Sequence, residues 1–367
     1  MPPVDGREPN NFFCCFSEDF DGSFEWTPQA TRPMLGVQID DSHRVNFANL
    51  FIFSASTDVV SLNDNAGRGG FDFHPAQIRD TTGYGACAVD GLFWERLNQP
   101  SYRIALLSRR HTDVMIADLL TLPDGIYPDP RTVTGRAAWY SFAFLLRLAA
   151  TVLLDVDVQE LLCGIRTILF QGVVRGQAFL SDSLENGAGY CRWLAQQENV
   201  PALIKEACDW RSGHLASNWV SLEHVQECDT SCNKCLRDYN NMQYHGLLDW
   251  RLALDMGRLA SNPDANIDIH SAIDGSIDNY WLPLVEGRHA TVSRSLAQFG
   301  YEWLDVEGFP CFISKRRKKA LVASHPLWTA DHRHYTRTAS LLKLDDPAIQ
   351  VCALDLFMAV RRPADYI

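Results

Sequence analysis

Several signatures are missing from these 367 residues. No G-x-x-x-x-G-K-[ST] phosphate loop occurs, and Gly187-Ala188-Gly189 lacks the lysine such a loop needs. Neither a DEAD nor a DEAH box occurs. Without a lysine on the β- and γ-phosphates and an acid for Mg²⁺, ATP hydrolysis is not expected. The opening Met1-Pro2-Pro3-Val4-Asp5 has neither the basic nor the apolar segment of a secretory signal. The most apolar run, Ala138 to Leu154, is interrupted by Arg147 and bounded by Arg136 and Asp155, so it reads as a buried helix and not a membrane span. Basic residues are outnumbered, 33 Lys and Arg against 45 Asp and Glu, for a net charge of −12. Such a chain is no general nucleic-acid sponge, and DNA contact would need a local basic patch. Internal repeats and low-complexity tracts are also absent.

What is present suits a globular protein. Hydrophobic residues make up 46% and charged residues 21%, enough for one large domain or about two. The 11 cysteines are an odd number, scattered, and several sit in apolar contexts (Cys87, Cys163, Cys352), which suits a reducing cytoplasm. Asn49 to Val60 reads as a strand. It should enter a polar turn at Asn63 to Gly70 and return as a hairpin through Phe71 to Phe73. Tyr102 to Ser108 and Asp113 to Leu119 read as two further strands. Thr134 to Thr151 is an apolar helix that should be central. Ile168 to Val174 and Gln177 to Leu180 read as strands, and a glycine-rich turn at 183–190 leads into a helix from Cys191 to Glu198. The class is α+β: a mixed β-sheet domain with a central apolar helix and a helix-loop-helix over Trp219 to Leu259.

A boundary falls in Ser261-Asn262-Pro263-Asp264, giving a domain over 1–260 and a smaller C-terminal α/β appendage over 261–367. The appendage holds a helix near Asp278 to Phe299 and a strand at Trp303 to Val306. It also holds a hairpin, Pro310 to Ser314 and Ala320 to Ser324, whose loop is Lys315-Arg316-Arg317-Lys318-Lys319.

The chemistry concentrates in His224-Val-Gln-Glu-Cys228-Asp-Thr-Ser-Cys232-Asn-Lys-Cys235. The C-x3-C-x2-C spacing places three thiolates within reach of one tetrahedral ion, and thiolate with imidazole favours Zn²⁺. Helices at Trp219 to Cys228 and Leu247 to Leu259 should flank the loop. There a structural zinc could substitute for a hydrophobic core. The fourth ligand is open: His245 first, then His224, one helical turn before Cys228, then Cys208. Three thiolates and one imidazole would fill the shell, as in a structural site.

Several segments together resemble the MrfA-type zinc-binding (MZB) domain. This family, formerly a domain of unknown function, belongs to certain bacterial DExH helicases and to DrmB-like subunits of the DISARM antiphage system. The matching words are Asn63-Asp64-Asn65 with Gly67, Thr112-Asp113-Val114, Gly135-Arg136-Ala137-Ala138, Asp182-Ser183-Leu184-Glu185-Asn186-Gly187-Ala188-Gly189-Tyr190, Cys228…Ser231-Cys232-Asn233-Lys234-Cys235-Leu236-Arg237-Asp238-Tyr239-Asn240, His245, and Leu248-Asp249. They run roughly from Val59 to Asp255. The resemblance implies a non-catalytic zinc-binding accessory module that partners a DExH-type helicase and contacts DNA, in phage defence or DNA repair, with no membrane.

Candidate phosphate contacts are Lys315, Arg316, Arg317, Lys318 and Lys319, with Arg237 beside the zinc loop. A rival is a metal-dependent nuclease in the appendage, from Asp305-Val306-Glu307 ahead of the lysine cluster. Another is a pure protein scaffold, which the acidic charge would suit. His325, His332 and His334 near Asp331 fit no trusted metal spacing.

Overall fold

The computed structural model describes residues 32–35, 44–63, 71–73, 76–80, 92–96, 102–104 and 106–367, the last without 212 and 271–279. The expected polar turn at 64–70 and Cys87 lie outside the described residues. In chain order the first strands are β1 (Arg32–Leu35), β2 (Arg44–Phe47), β3 (Leu50–Asn63), β4 (Phe71–Phe73), β5 (Ala76–Asp80), β6 (Leu92–Arg96), β7 (Tyr102–Ile104), β8 (Leu106–Leu119), β9 (Leu161–Phe170) and β10 (Val173–Asp182). An antiparallel sheet runs β1-β3-β8-β10-β9, with β2 also paired to β3. β4 pairs with β7 and β5 with β6.

Two expectations are corrected. Phe71–Phe73 does not fold back on β3, because β8 occupies that edge along its whole length, Leu50↔Leu119 to Asn63↔Leu106. β8 is also one strand and not two. The charged stretch that looked like a break, Arg109 to His111, stays in the strand because Arg109 and His111 both pair with Asp58 on β3.

Helix α1 (Val133–Leu154) explains the rest. Thr132 caps it, its hydroxyl accepting from the Gly135 N–H at 3.0 Å. A side chain at Gly135 would collide with the Asp129 carbonyl, its Cβ only 1.9 Å away. The helix is long and apolar enough to cross a membrane, yet most of it is buried inside the protein. Strand alternation divides the sheet's two faces. Ile52, Met115, Ala117, Ala178 and Leu180 join α1 in the main core. Leu35, Phe53, Val114, Ile116 and Phe179 form a smaller cluster on the other face. Each large side chain fully buried contributes roughly 1.5–3 kcal/mol.

The remaining helices are α2 (Tyr190–Leu194), α3 (Val200–Cys208), α4 (Leu215–Trp219), α5 (Leu222–Glu227), α6 (Trp250–Ser261), α7 (Thr291–Gln298), α8 (Arg333–Asp345) and α9 (Leu356–Arg361). α3 and α6 pack on α1. A second sheet, β11 (Glu302–Val306), β12 (Phe309–Ser314), β13 (Lys319–Ser324) and β14 (Gln350–Asp355), is antiparallel except that β14 runs parallel to β13 after α8. The expected hairpin at Pro310 to Ser324 is present as β12 and β13. The fold is α+β, with two main sheets and helices between and around them.

The apolar cluster continues across Ala260, where the sequence suggested a boundary, and reaches Ala359. Buried polar contacts cross the same point. Thr134 at the start of α1 donates to Asp355 at 2.6 Å, and Arg361 meets Asp249 at 3.0 Å. The densest contact is at Asp255 on α6. It accepts from the Tyr280 hydroxyl, from Trp281 Nε1 at 2.7 Å and from His325 Nε2 at 2.9 Å. His325 Nδ1 accepts the Leu327 N–H at 3.1 Å, which fixes the proton on Nε2. Burial alone would raise the Asp255 carboxyl; His325, Arg258 and Tyr280 hold it below its usual value.

His332 and His334 also pack among aromatics. His332 stacks on Trp328 at 4.0 Å and 14°, and His334 pairs with Asp268 at 3.2 Å. Burial, with neighbouring His334, pushes His332 down to about 4.

Two outcomes are expected. Asp255→Ala leaves three buried donors unmet and should cost about 3–5 kcal/mol in urea unfolding. The unfolded chain takes up a proton near pH 6.5 that folded His332 refuses until about pH 4. Stability should therefore fall as pH drops through that window, and urea midpoints measured at pH 7 and pH 5 should converge in His332→Gln.

Candidate metal centre

Ser221 caps α5, accepting the His224 N–H at 3.3 Å. Cys228 ends the helix and donates its N–H to the His224 carbonyl at 2.9 Å. One helical turn therefore separates His224 from Cys228 on a common face. The chain then turns tightly. Cys235 N–H reaches the Cys232 carbonyl at 3.1 Å, Cys232 N–H points at Cys235 Sγ at 3.1 Å, and Lys234 N–H at Cys232 Sγ at 3.3 Å.

This brings His224, Cys228, Cys232 and Cys235 together, with one donor atom from each within 4.8 Å of the others. Cys228 Sγ and Cys235 Sγ are 3.9 Å apart, and Cys232 Sγ lies 3.6 Å from His224 Nε2. A tetrahedral Zn²⁺ with ordinary bond lengths requires edges of about 3.8 Å between sulfurs and about 3.6 Å from sulfur to nitrogen. The donor set fits such an ion in chemistry and in spacing.

The protein also orients the imidazole. His224 Nδ1 lies 2.7 Å from the Trp219 carbonyl, which can only accept, so the proton is on Nδ1 and the Nε2 lone pair faces the sulfurs. The Trp250 ring stands edge-on to His224 at 5.4 Å and donates Nε1–H to the Cys228 carbonyl at 3.2 Å. Arg251 reaches the Asp229 carbonyl at 2.6 Å, so the first residues of α6 hold the cysteine loop. At the surface Lys234 bridges Glu223 and Glu227. The adjacent Cys235 sulfur, and then burial, push the Cys228 thiol far up, against the pull of His224. A bound dication would reverse that by stabilising the thiolates.

The structure gathers His224, not His245, with the cysteines. His245 Nε2 instead faces the Asn241 side-chain oxygen at 2.8 Å and the Asp238 carbonyl at 3.2 Å. It follows Asp238, the cap of the short helix Tyr239–Tyr244, whose carboxylate is tied to Arg147 of α1 at 2.7 Å. Cys208 is partly buried against Gly257 of α6, and burial pushes its thiol up to about 12. Arg237 is half-buried, its Nε donating to Ser231 Oγ at 2.8 Å.

The glycine-rich word has a structural explanation. The Asp182 carboxylate, with no exposed surface, accepts the N–H groups of Ala188, Gly189, Tyr190 and Cys191 at 2.7–3.2 Å. Gly187 has φ +79°, and a Cβ there would lie 2.5 Å from an Asp113 carboxylate oxygen. The loop is a carboxylate-clamped turn between β10 and α2.

Lys315, Arg316 and Lys318 are exposed on the turn between β12 and β13; Arg317 and Lys319 are partly covered, and Lys319 Nζ donates to the Tyr366 carbonyl at 2.8 Å. The two carboxylates considered for a nuclease serve the turn between β11 and β12. Asp305 accepts the Gly308 N–H at 2.9 Å, Glu307 adopts φ +50°, and its carboxylate meets Arg337 at 2.6 Å.

No family model matches this sequence. Over 153 residues it is 28% identical to Druantia protein DruE of Escherichia coli (strain UMEA 4076-1), across 38% of this chain and only 8% of that protein. A crystal structure of the DUF1998 helicase MrfA bound to DNA aligns with 62% of this chain and 25% of that one, at 12% identity and a TM-score of 0.33.

If the geometry decides the ligand, purified His224→Ala should hold far less zinc than the parent, measured by elemental mass spectrometry, and should melt at a lower temperature. His245→Ala should keep about one zinc per chain.

Proposed function

We propose that this chain is a non-catalytic, zinc-stabilised accessory module of a helicase-type DNA-processing complex, acting in phage defence or DNA repair. The observation that carries the reading is the closed donor shell of His224, Cys228, Cys232 and Cys235. With all four positions supplied by protein, no site is left for an activated water, and the ion's work is to hold structure. It would tie α5 to the loop that α6 secures.

The helicase and DNA parts of the reading rest on sequence. The ordered words from Asn63 to Asp249 resemble the helicase-associated zinc domains, and part of the chain is also similar to a Druantia protein. The exposed cations Lys315, Arg316 and Lys318 supply the local patch that an acidic chain needs to meet phosphate. DNA contact at this turn, and at Arg237, belongs to the proposal.

Two readouts test it. Affinity purification from the native host should recover a helicase subunit; recovery of the chain without one would remove the accessory role. DNA binding measured against salt should weaken about tenfold or more, with a slope shallower by roughly two to three, when Lys315, Arg316 and Lys318 are changed to alanine. An unchanged slope would remove the turn from the DNA contact.

A further inference from the structure

Three connecting segments, 121–126, 263–267 and 331–333, border an open groove of about 910 Å³. Ile126, Ala265 and Ile267 are buried and give it an apolar wall. Asp124, Asp264 and Asp331, one from each segment, are exposed along it. Asp331 accepts the Thr329 hydroxyl at 2.5 Å, and none of the three carboxylates has a cationic partner among the described residues. One guanidinium, Arg333, borders the same groove, exposed and likewise without an ion pair among the described residues.

His332 reaches the same groove and is only 7% exposed. Neither of its ring nitrogens has a hydrogen-bond partner among the described residues. Nδ1 is enclosed and Nε2 is not. The edge of the ring that carries Nε2 lies along Gly125, where a Cβ would stand 2.6 Å from His332 Cδ2. The bare glycine therefore leaves that edge its place at the groove. The stack on Trp328 at 4.0 Å fixes the plane of the ring, and burial keeps the imidazole neutral at pH 7. As with backbone groups, an enclosed N–H without a partner is rarer than an enclosed acceptor. The proton therefore sits on Nε2, a donor with no oxygen to meet.

Carboxylates above an apolar wall match a long basic side chain, whose methylenes lie on the wall while its charge reaches the rim. The three carboxylates are too dispersed for one metal ion. Among the described residues, the only His, Cys, Asp and Glu side chains that bring three or more donors together are those of the candidate metal centre. A chain with charges at intervals meets all three. A nucleic acid would set phosphate against them. A free polyamine would leave the His332 N–H unanswered, which a peptide carbonyl satisfies. We propose that this groove binds an extended, lysine- or arginine-rich segment of a partner protein. The segment sets its cations on Asp124, Asp264 and Asp331 and a main-chain carbonyl on His332 Nε2. The site uses no residue of the metal centre or of the Lys315–Lys319 turn. It gives the chemistry of one protein contact of the accessory module, and rests on that reading for the partner's existence.

The test is fluorescence anisotropy of the full chain at low salt with a labelled peptide that alternates lysine and glycine, about eight residues long and roughly 26 Å when extended. The parent should bind it about tenfold or more tighter than the matching glutamate–glycine peptide. Asp124→Asn combined with Asp264→Asn, both surface changes, should weaken binding about fivefold or more. His332→Phe keeps a ring on Trp328 and removes the donor; at an unchanged melting temperature it should weaken binding about threefold. Glu198→Gln combined with Asp345→Asn removes the same charge from other exposed positions and should change binding less than about twofold. A parent that binds both peptides alike overturns the groove. So does a control pair that weakens binding as much as the groove pair, which would assign the effect to general attraction by an acidic chain. A chain that captures a helicase from its host but fails the peptide tests overturns the groove and keeps the accessory reading. One that passes them and captures no helicase keeps the groove and overturns that reading.

Discussion

A helix apolar on nearly every face has to be covered on every side, and that requirement organises this protein. α1 meets the first sheet through Ile52, Met115 and Leu180, and meets α3 and α6 on its other sides. At its start, Thr134 is held by Asp355 from the second sheet. Toward its end, Arg147 is held by Asp238 just after the cysteine loop. Each part of the chain is thereby referred to one rigid axis.

The candidate metal centre depends on the same axis at one remove. The backbone of the loop from Cys228 to Cys235 is fixed by bonds from Trp250 and Arg251 at the head of α6, and its cysteines join the main core. α6 in turn packs on α1 and carries Asp255, the buried acceptor that joins Tyr280, Trp281 and His325. Second-layer bonds of this kind set which nitrogen of His224 faces the sulfurs before any ion arrives.

The sequence conveyed much of this and missed some of it for identifiable reasons. α1 and the hairpin of β12 and β13 were legible because their apolar patterns are long or sharply bounded by charge. β8 was divided because its solvent-facing residues, Arg109 to His111, mimic a loop until Asp58 is known to lie opposite. The strand expected over Ile168 to Val174 conceals the two-residue turn at Gln171 and Gly172, where both residues have positive φ. The three cysteines were legible from spacing alone. The histidine was not, because two candidates lie within reach along the chain and only the cap at Ser221 and the Trp219 carbonyl choose between them.

β14 lies parallel to β13 and brings Asp355 to Thr134, 221 residues earlier in the chain. Parallel pairing through a crossover and contacts of such long span are slow to form, because the loop must close before its contacts are made. During synthesis the apolar surface of α1 can be made and folded against β8 to β10 well before β14 leaves the ribosome. For that interval the part of the core that Leu354, Leu356 and Phe357 complete has no cover, and apolar surface left open in this way favours self-association.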